Sequence, residues 1–314
     1  MTHPPDLRAG AGPGGALPGR EGQTFAGRSR LTTYVNLVKL PHTVFALPFA
    51  LVGATLGSVV RPITAGVVAW IIVAFTSARF AAMAFNRIVD REIDAANPRT
   101  ARREIPAGIL GVAEASVSVV LASALFMIAA WRLNPLCSAL APLALAWVLV
   151  YSYTKRFTRW SHLVLGLGLG IAPVGGYLAV TGQWGTPWWW LPVMAIAVMA
   201  WVGGFDILYA LQDVAFDGAH GLRSVPVAFG QTGALVAARL LHALAIVALA
   251  AVGIAILAGW LYAAGVVVAA AILLYEHSLV RGGDLSRLDA AFFTMNGVMS
   301  IVFFAFVLAG RLVG

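Results

Sequence analysis

Residues 86–94 read NRIVDREID, and they stand where a long apolar run ends. Asn86, Asp90 and Asp94 are four residues apart, so on a helix their side chains lie along one face. Carboxylate and amide oxygens are ligands that suit a hard divalent cation such as Mg²⁺. The stretch therefore predicts a membrane helix whose end carries a metal site. The alternative is a solvated helix end at which the arginines of the stretch pair with the acids.

A second acidic cluster also follows an apolar run. It consists of Asp206, Asp213 and Asp217, and its last two members repeat the four-residue step. Mg²⁺ often binds through one or two carboxylates together with the phosphates of a substrate. Two such clusters in one membrane protein therefore favour a substrate that carries a diphosphate. The catalytic carboxylates in this interpretation are Asp90, Asp94, Asp213 and Asp217. The candidate metal ligands are these four together with Asn86 and Asp206.

The composition indicates the class of protein. Of the 314 residues, 60% are hydrophobic and 11% are charged, and the mean hydropathy is +0.86. A soluble protein would carry about 25% charged residues. Apolar stretches long enough to cross about 30 Å of hydrocarbon recur along the chain, and they are too long for the strands of a membrane barrel. The sequence therefore predicts a polytopic α-helical protein embedded in the lipid bilayer.

The charge and the cysteine count exclude other classes. A net charge of +8 is compatible with a nucleic-acid partner, but in a membrane protein it reflects orientation and contact with anionic lipid. We therefore expect no nucleic-acid partner. The single cysteine, Cys137, excludes an internal disulfide and a multi-cysteine metal site.

The beginning of the chain differs from the rest. Residues 1–30 are rich in Gly and Pro and lack the apolar segment of a signal peptide, so we interpret them as a disordered tail. We expect residues 31–314 to form one all-α membrane domain, which begins with a short amphipathic helix over 31–41. We predict nine spans in this domain. They cover residues 43–60, 64–85, 110–130, 135–153, 163–181, 187–206, 233–256, 258–277 and 289–310.

The distribution of Lys and Arg predicts the orientation. Of 21 such residues, 16 lie in the N-terminal part and in the loops after even-numbered spans, and three lie in the opposite loops or at the C-terminus. Cytoplasmic loops carry the excess of positive charge, so we expect the N-terminus and both acidic clusters on the cytoplasmic side of the inner membrane.

Acidic clusters follow spans two and six, and basic loops follow spans four and eight. This period predicts two parallel four-helix pseudo-repeats and a ninth helix.

Four basic residues are candidate ligands of the diphosphate. Arg79 lies inside the second span, seven residues before Asn86 and on the same helical face. A charge at that depth is costly and normally functional, although a structural ion pair is the alternative. Lys155, Arg156 and Arg223 lie in cytoplasmic loops and can bind phosphate oxygens. For each of these three, a role in orientation alone is the alternative.

A diphosphate at the mouth of an apolar helical cavity favours an isoprenyl diphosphate as the donor. Bound metal ions would stabilise the leaving group, and an electron-rich acceptor would capture the allylic carbocation. Ring faces can stabilise a cation, so Tyr153 and Tyr209 are candidates for contacts with the aromatic or prenyl group. Tyr151, Tyr177 and Phe205 are further candidates, and plain packing is the alternative for each. The acceptor stays open on this reasoning.

Four stretches resemble the UbiA superfamily of intramembrane aromatic prenyltransferases. They are KLPHTVFALPFAL (39–51), ARFAAMAFNRIVDREIDAANPRTARREIPAG (78–108), YSYTKRFTRWSHLVLG (151–166) and GGFDILYALQDVAFDGAHGLRSVPVAFG (203–230). The resemblance implies nine helices around a central cavity, Mg²⁺ dependence and C-prenylation of an aromatic ring. The family's metal ligands then fall on Asn86, Asp90, Asp94, Asp213 and Asp217, with Asp206 as a neighbour. Its diphosphate-binding residues fall on Arg79, Lys155, Arg156 and Arg223.

The resemblance leaves two acceptors open. The chain looks like the quinone-pathway branch that prenylates 4-hydroxybenzoate from a polyprenyl diphosphate. Many members read Asn-Asp at the start of the motif, whereas this chain reads Asn86-Arg87. The stretch AFNRIVDREIDAANPRTA also looks like members associated with menaquinone synthesis from a dihydroxynaphthoate. A secondary transporter is the alternative of another class, but it would place its acids near the middle of the membrane on broken helices.

Overall fold

The structure is a computed structural model that describes residues 29–38, 40–280 and 295–313. Within these ranges every regular element is a helix, as predicted. The helices are α1 (Arg30–Leu37), α2 (Leu40–Gly57), α3 (Ala65–Val89), α4 (Arg91–Ala96), α5 (Val112–Leu133), α6 (Pro135–Thr154), α7 (Ser161–Thr181), α8 (Trp190–Ala210), α9 (Val214–Ala219), α10 (Val225–Ala255), α11 (Trp260–Leu279) and α12 (Asn296–Val313), with a 3₁₀ turn over Leu211–Asp213.

The nine predicted spans correspond to α2, α3, α5, α6, α7, α8, α10, α11 and α12. In the described part of the chain, eight helices are long and apolar enough to cross a membrane. The remaining span, α2, contributes a shorter apolar helix over Ala46–Gly57. The tail predicted over residues 1–30 lies almost wholly outside the described residues, as do the basic residues Arg281 and Arg287.

The start of α10 differs from its prediction. We expected the seventh span to begin at residue 233, but the helix begins at Val225. Ser224 caps it by accepting the Val227 N–H at 3.3 Å. Gly230 interrupts the helix with a φ of +68°, a conformation that glycine adopts readily. The apolar pattern showed the segment after this kink and missed the turn before it.

Glycines allow α7 to lie against both α2 and α8. A Cβ added to Gly53 of α2 would stand 1.8 Å from the Pro173 oxygen of α7, and one added to Gly176 would stand 2.0 Å from the Ala50 oxygen. A Cβ on Gly166 would lie 2.4 Å from the backbone of α8. Small residues at helix contacts are typical of membrane proteins, because they let backbones approach closely. These contacts make α7 a central helix of the bundle.

The helix contacts follow the predicted repeat. The first helices of the two halves, α2 and α7, pack against each other. In each half the second helix packs on the third, as α3 on α5 and α8 on α10. The ninth span, α12, packs against α2 and α11 and so links the end of the bundle to its beginning. The contact of the second helix with the third thus recurs in both halves, whereas the first helix packs extensively on the second only in the second half.

The loops after spans two, four and six meet at one end of the bundle. The Arg223 N–H donates to the Lys155 oxygen at 2.8 Å, and Asn97 Nδ2 donates to Asp213 Oδ1 at 3.1 Å. Around the bundle, large apolar side chains such as Leu121 are exposed, as a lipid-facing surface requires. The protein is thus an integral multi-pass membrane protein with its charged loops gathered at one end.

Candidate active site

The first acidic cluster lies at a break between α3 and α4. Asp90 is both the C-cap of α3 and the residue before α4. Helical hydrogen bonds continue across the break, since Asp90 N donates to Asn86 O at 2.9 Å and Asp94 N donates to Asp90 O at 2.7 Å. The predicted helix is therefore two helices, but Asn86, Asp90 and Asp94 still line one common cavity.

The second acidic cluster lines the same cavity, which has a volume of about 320 Å³. Asp206 lies on α8, Asp213 ends the 3₁₀ turn, and Asp217 lies on α9 in the loop beyond α8. Burial raises the pKa of the Asp217 carboxyl to about 6, and the negative charge of Asp213 adds to this effect. A cation placed beside these carboxylates would favour their charged forms. The two clusters thus share a cavity in which bound positive charge would stabilise the ionised carboxylates.

Asp90 is 3% exposed and is held by two cations. Lys155 Nζ lies 2.6 Å from Asp90 Oδ2, and Arg156 Nη2 lies 3.1 Å from Oδ1. Asn86 donates an Nδ2 hydrogen to the same Oδ2 at 3.0 Å. A buried carboxylate needs such partners to stay charged. The structure therefore brings two predicted diphosphate ligands directly to the first cluster.

Arg99 holds the second cluster and was not among the predicted site residues. Its guanidinium bonds both oxygens of Asp213, with Nε 2.9 Å from Oδ1, and it donates to the Tyr209 hydroxyl at 3.1 Å. A local signal for this contact was present. Asn97 stands before a proline, a pair that favours a turn, and its Oδ1 accepts the Arg99 N–H at 3.0 Å. The turn directs the loop after α4 across the cavity.

Asp94 pairs with two arginines. It is 4% exposed, with Arg103 Nη1 2.7 Å from Oδ1 and Arg87 Nη1 3.9 Å from Oδ2. Pairing of Arg87 with an acid was the alternative explanation of the motif. The ion pair between Arg87 and Asp94 is present, and both side chains also line the cavity.

Asp206 pairs with a histidine. His162 Nδ1 lies 2.7 Å from Asp206 Oδ2, and His162 Nε2 accepts the Val225 N–H at 3.4 Å. Because Nε2 accepts a hydrogen bond, Nδ1 carries the hydrogen that is donated to Asp206. His162 is buried and lines the cavity. The sequence carried no signal for this residue, because the contact joins two positions 44 residues apart.

The remaining predicted residues divide into two groups. Arg79, Arg223 and Tyr209 line the cavity. Tyr153 lies on another face of α6 and is 44% exposed, while Tyr151 lines the cavity instead. Residues two apart on a helix point to different sides, which explains the difference. The structure thus replaces Tyr153 with Tyr151 as a candidate for contact with substrate.

An apolar chamber of about 220 Å³ adjoins the cavity between α3, α5, α6 and α7. Apart from Arg79 and Tyr151, which also line the cavity, the lining of the chamber consists of apolar side chains and glycines. A charged cavity beside an apolar chamber fits a diphosphate that carries a hydrocarbon tail. The residues that line both spaces are Arg79, Met83, Tyr151, Leu165 and Leu169.

The donor atoms of the clusters suit a hard divalent cation. Among the described residues, no three His, Cys, Asp or Glu side chains stand close enough to hold a metal by themselves. Mg²⁺ prefers oxygen ligands and usually completes its shell with water and substrate phosphates. The carboxylates and the Asn86 amide therefore fit Mg²⁺ that binds together with a diphosphate.

Comparison with known proteins gives relatives over most of the chain. The model of the UbiA prenyltransferase family matches residues 46–304. The 4-hydroxybenzoate octaprenyltransferase of Aromatoleum aromaticum is 31% identical over 230 residues, which are 73% of this chain and 77% of that protein. The protein of the same name from Methylobacillus flagellatus is 29% identical over 280 residues, which are 88% of this chain and 93% of that protein.

Solved structures share the fold. The apo structure of a UbiA homologue from Aeropyrum pernix K1 has a TM-score of 0.78 at 33% identity, over 85% of this chain and 97% of that one. A UbiA homologue from Archaeoglobus fulgidus bound to DMAPP and Mg²⁺ has a TM-score of 0.71 at 19% identity, over 90% of this chain and 100% of that one. The second match shows likeness of fold alone, and neither supports the transporter alternative. Sequence and structure agree that the chain belongs to the UbiA prenyltransferase family.

Proposed function

We propose that this protein transfers a polyprenyl group from a polyprenyl diphosphate to the ring of 4-hydroxybenzoate, with Mg²⁺, in quinone biosynthesis. The observation that carries the proposal is the cavity in which both acidic clusters meet, next to an apolar chamber. Relatives named 4-hydroxybenzoate octaprenyltransferase support the acceptor. The structure of the Archaeoglobus fulgidus homologue with DMAPP and Mg²⁺ supports the class of donor and the metal.

The acidic clusters provide the metal ligands. When bound, Mg²⁺ supplies positive charge that stabilises the departing diphosphate. Asp206 was predicted as a sixth ligand; it lines the same cavity and bonds His162, and the family resemblance makes it a neighbour of the set. The side chains that would hold the metal are Asn86, Asp90, Asp94, Asp213 and Asp217.

The basic side chains around the clusters bind the diphosphate oxygens. Lys155 and Arg156 already reach Asp90, and Arg99 already reaches Asp213. A guanidinium binds phosphate in the same bidentate manner as it binds a carboxylate. Lys155 and Arg99 line the cavity, so they can turn from carboxylate to phosphate without leaving it, and Arg156 reaches it through Asp90. The proposed diphosphate ligands are Arg79, Arg99, Lys155, Arg156 and Arg223.

The apolar chamber takes the prenyl chain, and the chemistry occurs at its junction with the cavity. Cleavage of the C1–O bond releases diphosphate and leaves an allylic cation. A ring carbon of the acceptor then bonds to C1 and passes its proton to the released diphosphate. The rings of Tyr151, Phe205 and Tyr209 line the cavity and can stabilise the cation. The apolar walls exclude water, which would otherwise capture the cation.

A dihydroxynaphthoate, as in menaquinone biosynthesis, is the second candidate acceptor. The feature that favours it is the stretch AFNRIVDREIDAANPRTA (84–101), which looks like members associated with menaquinone synthesis and in which Arg87 stands where many members have an aspartate. Arg87 is 4% exposed and lies 3.9 Å from Asp94, so this chain has a cation beside its first cluster. The reaction at C1 is the same for both acceptors.

The test is product formation by the purified full-length protein in lipid nanodiscs. It is incubated with Mg²⁺, a polyprenyl diphosphate and either 4-hydroxybenzoate or a dihydroxynaphthoate, and products are identified by mass spectrometry. We expect ring-prenylated 4-hydroxybenzoate, loss of product with a chelator and recovery with added Mg²⁺. Alkylation of haem or a lipid phosphate alone would show that the proposal is wrong.

A further inference from the structure

A second polar cluster lies deeper in the bundle and joins α8, α10, α11 and α12. Trp201 Nε1 donates to Asn296 Oδ1 at 2.8 Å, and Glu276 hydrogen-bonds the Asn296 side chain. The Trp201 backbone oxygen lies 3.2 Å from His242 Nε2, and His242 Nδ1 lies 3.0 Å from His277 Nε2. None of these residues serves the metal or the diphosphate in the proposed function.

The burial of this cluster indicates a function. Glu276 is 1% exposed and Asn296 is 3% exposed. An acidic side chain inside a membrane-spanning helix such as α11 is costly and is normally functional. Among the described residues, Glu276 Oε2 has no hydrogen-bond partner. If the cluster served only to join helices, apolar packing would do so at lower cost.

The cluster reaches the active-site cavity at Asn296 and Trp201, which both line it. Trp201 lies five residues before Asp206 on α8, so it stands about 7.5 Å deeper along the helix axis. Phe205 lines the same wall, with its ring centroid 5.3 Å from that of Trp201. This part of the wall therefore offers two aromatic rings and one amide.

The amide of Asn296 has a fixed orientation. Its Oδ1 accepts the Trp201 indole hydrogen, so its Nδ2 side is the one that bonds Glu276. A polar group held in place in this way discriminates well between substrates. A ligand that lacks the matching hydroxyl leaves the buried group without its bond.

We propose that Asn296 binds the hydroxyl group of the aromatic acceptor, and that Glu276 is the positioning residue of its amide. The inference rests on the proposed function and adds the orientation of the acceptor. Lys155 and the loop arginines favour the acceptor's carboxylate at the mouth of the cavity. The acceptor ring lies against Trp201 and Phe205 between these two ends.

The first experiment compares the wild-type protein with Asn296→Leu in nanodiscs. We expect the KM for 4-hydroxybenzoate to rise about tenfold, because one buried hydrogen bond is lost. The KM for the prenyl diphosphate should not change. Benzoate has the ring and carboxylate but no hydroxyl, so its inhibition constant should change less than about twofold by the same reasoning. A merely structural role for Asn296 would weaken both aromatic acids equally.

The second experiment tests the positioning role of Glu276. Glu276→Gln keeps an oxygen that can accept from the amide, so we expect a KM for 4-hydroxybenzoate near that of the wild type. Glu276→Leu should raise it, and combination with Asn296→Leu should add little, because both changes remove one interaction. Ser300→Ala is the matched control. Ser300 is fully buried one turn along α12 and bonds the Gly297 oxygen of its own helix.

The outcomes separate this inference from the proposed function. A wild-type protein that prenylates no aromatic acid contradicts the proposed function, and the inference fails with it. An active wild type together with a folded Asn296→Leu protein of unchanged KM overturns the inference alone. Equal weakening of benzoate and 4-hydroxybenzoate also overturns it. If Asn296→Leu does not fold, Asn296→Ala is measured in the same way, and the same two results decide whether the inference is wrong.

Discussion

At the scale of single residues, two cations balance the charge of Asp90. Lys155 and Arg156 both reach this carboxylate. Both cations are about one-third exposed, with side-chain exposures of 31% and 33%, so solvent screens part of their attraction. The loss of Asp90's charge should therefore lower stability slightly.

Asp90→Asn should separate catalysis from folding. The change keeps the shape of the side chain and removes one negative charge from the metal site. We expect turnover to fall about a hundredfold or more, which corresponds to about 2.7 kcal/mol in the activation barrier. We expect only a small decrease in the melting temperature. Both are measured at saturating Mg²⁺, with Glu92→Gln as the control, since the Glu92 side chain is 83% exposed. Near-normal turnover in folded Asp90→Asn protein would exclude the two-cluster mechanism.

Arg99→Lys tests whether binding of the donor needs a guanidinium that bonds two oxygens of one group. Lysine keeps the positive charge but cannot bond both oxygens of one group. We expect the KM for the prenyl diphosphate to rise about tenfold, in line with the loss of one charge-assisted hydrogen bond. Asn97 still bonds Asp213, so the loop should keep its place. Arg91→Lys is the control, because Arg91 pairs with exposed Glu92. An unchanged KM for the donor would remove Arg99 from the diphosphate site.

At the scale of helices, the sequence predicted what depends on local patterns. Every predicted span has a helix, because runs of apolar residues report burial in lipid directly. The break between α3 and α4 at Asp90 and the early start of α10 both depend on turns of a few residues. A search for apolar runs does not detect such turns. His162 depends on a contact across 44 residues, so only the fold reveals it. Arg99 reaches Asp213 across 114 residues, and the Asn97-Pro98 pair indicates the turn but not the partner. The acidic clusters were found because their spacing repeats along each segment.

Two neighbouring glycines of α7 allow a matched test of helix packing. A Cβ at Gly176 would stand 2.0 Å from the Ala50 backbone oxygen, whereas a Cβ at Gly175 has no neighbour within 4 Å. Gly176→Ala must therefore push α2 away from α7, which should cost about 1–3 kcal/mol. Gly175→Ala should leave the melting temperature nearly unchanged. Thermal unfolding of both variants in the same detergent is the measurement, and equal melting temperatures would contradict the close α2–α7 contact.

At the scale of the whole molecule, the charge distribution predicts which end of the bundle faces the cytoplasm. Single cysteines are placed in a Cys137→Ala background, at Gly218 in the loop after α8 and at Gln183 between α7 and α8. Both positions are exposed and lie at opposite ends of α8. We expect a membrane-impermeant maleimide to label Gln183→Cys in intact cells and Gly218→Cys only in inverted vesicles. Labelling of both positions from one side would contradict the topology.

The two halves of the molecule each supply part of the proposed metal site. The first four spans bring Asn86, Asp90 and Asp94, and the second four bring Asp213 and Asp217. In the described part of the chain, no three metal-binding side chains stand close enough to form a complete site. Phosphate oxygens must therefore contribute to tight binding of Mg²⁺, and the donor and the metal should bind the folded protein cooperatively.

This coupling predicts a thermal stabilisation that neither ligand gives alone. A ligand present at 100 times its dissociation constant stabilises the native state by about 2.7 kcal/mol. We expect a shift of that order with Mg²⁺ and a non-hydrolysable prenyl thiolodiphosphate together, and a much smaller shift with either one. Asp213→Asn should reduce the joint shift, because the second cluster then lacks one charge, while Glu92→Gln should preserve it. The melting temperature in nanodiscs is measured without ligand, with each ligand alone and with both together. If Mg²⁺ alone gives the full shift, the protein holds the metal tightly without phosphate oxygens, and the proposed coupling of metal and donor is wrong.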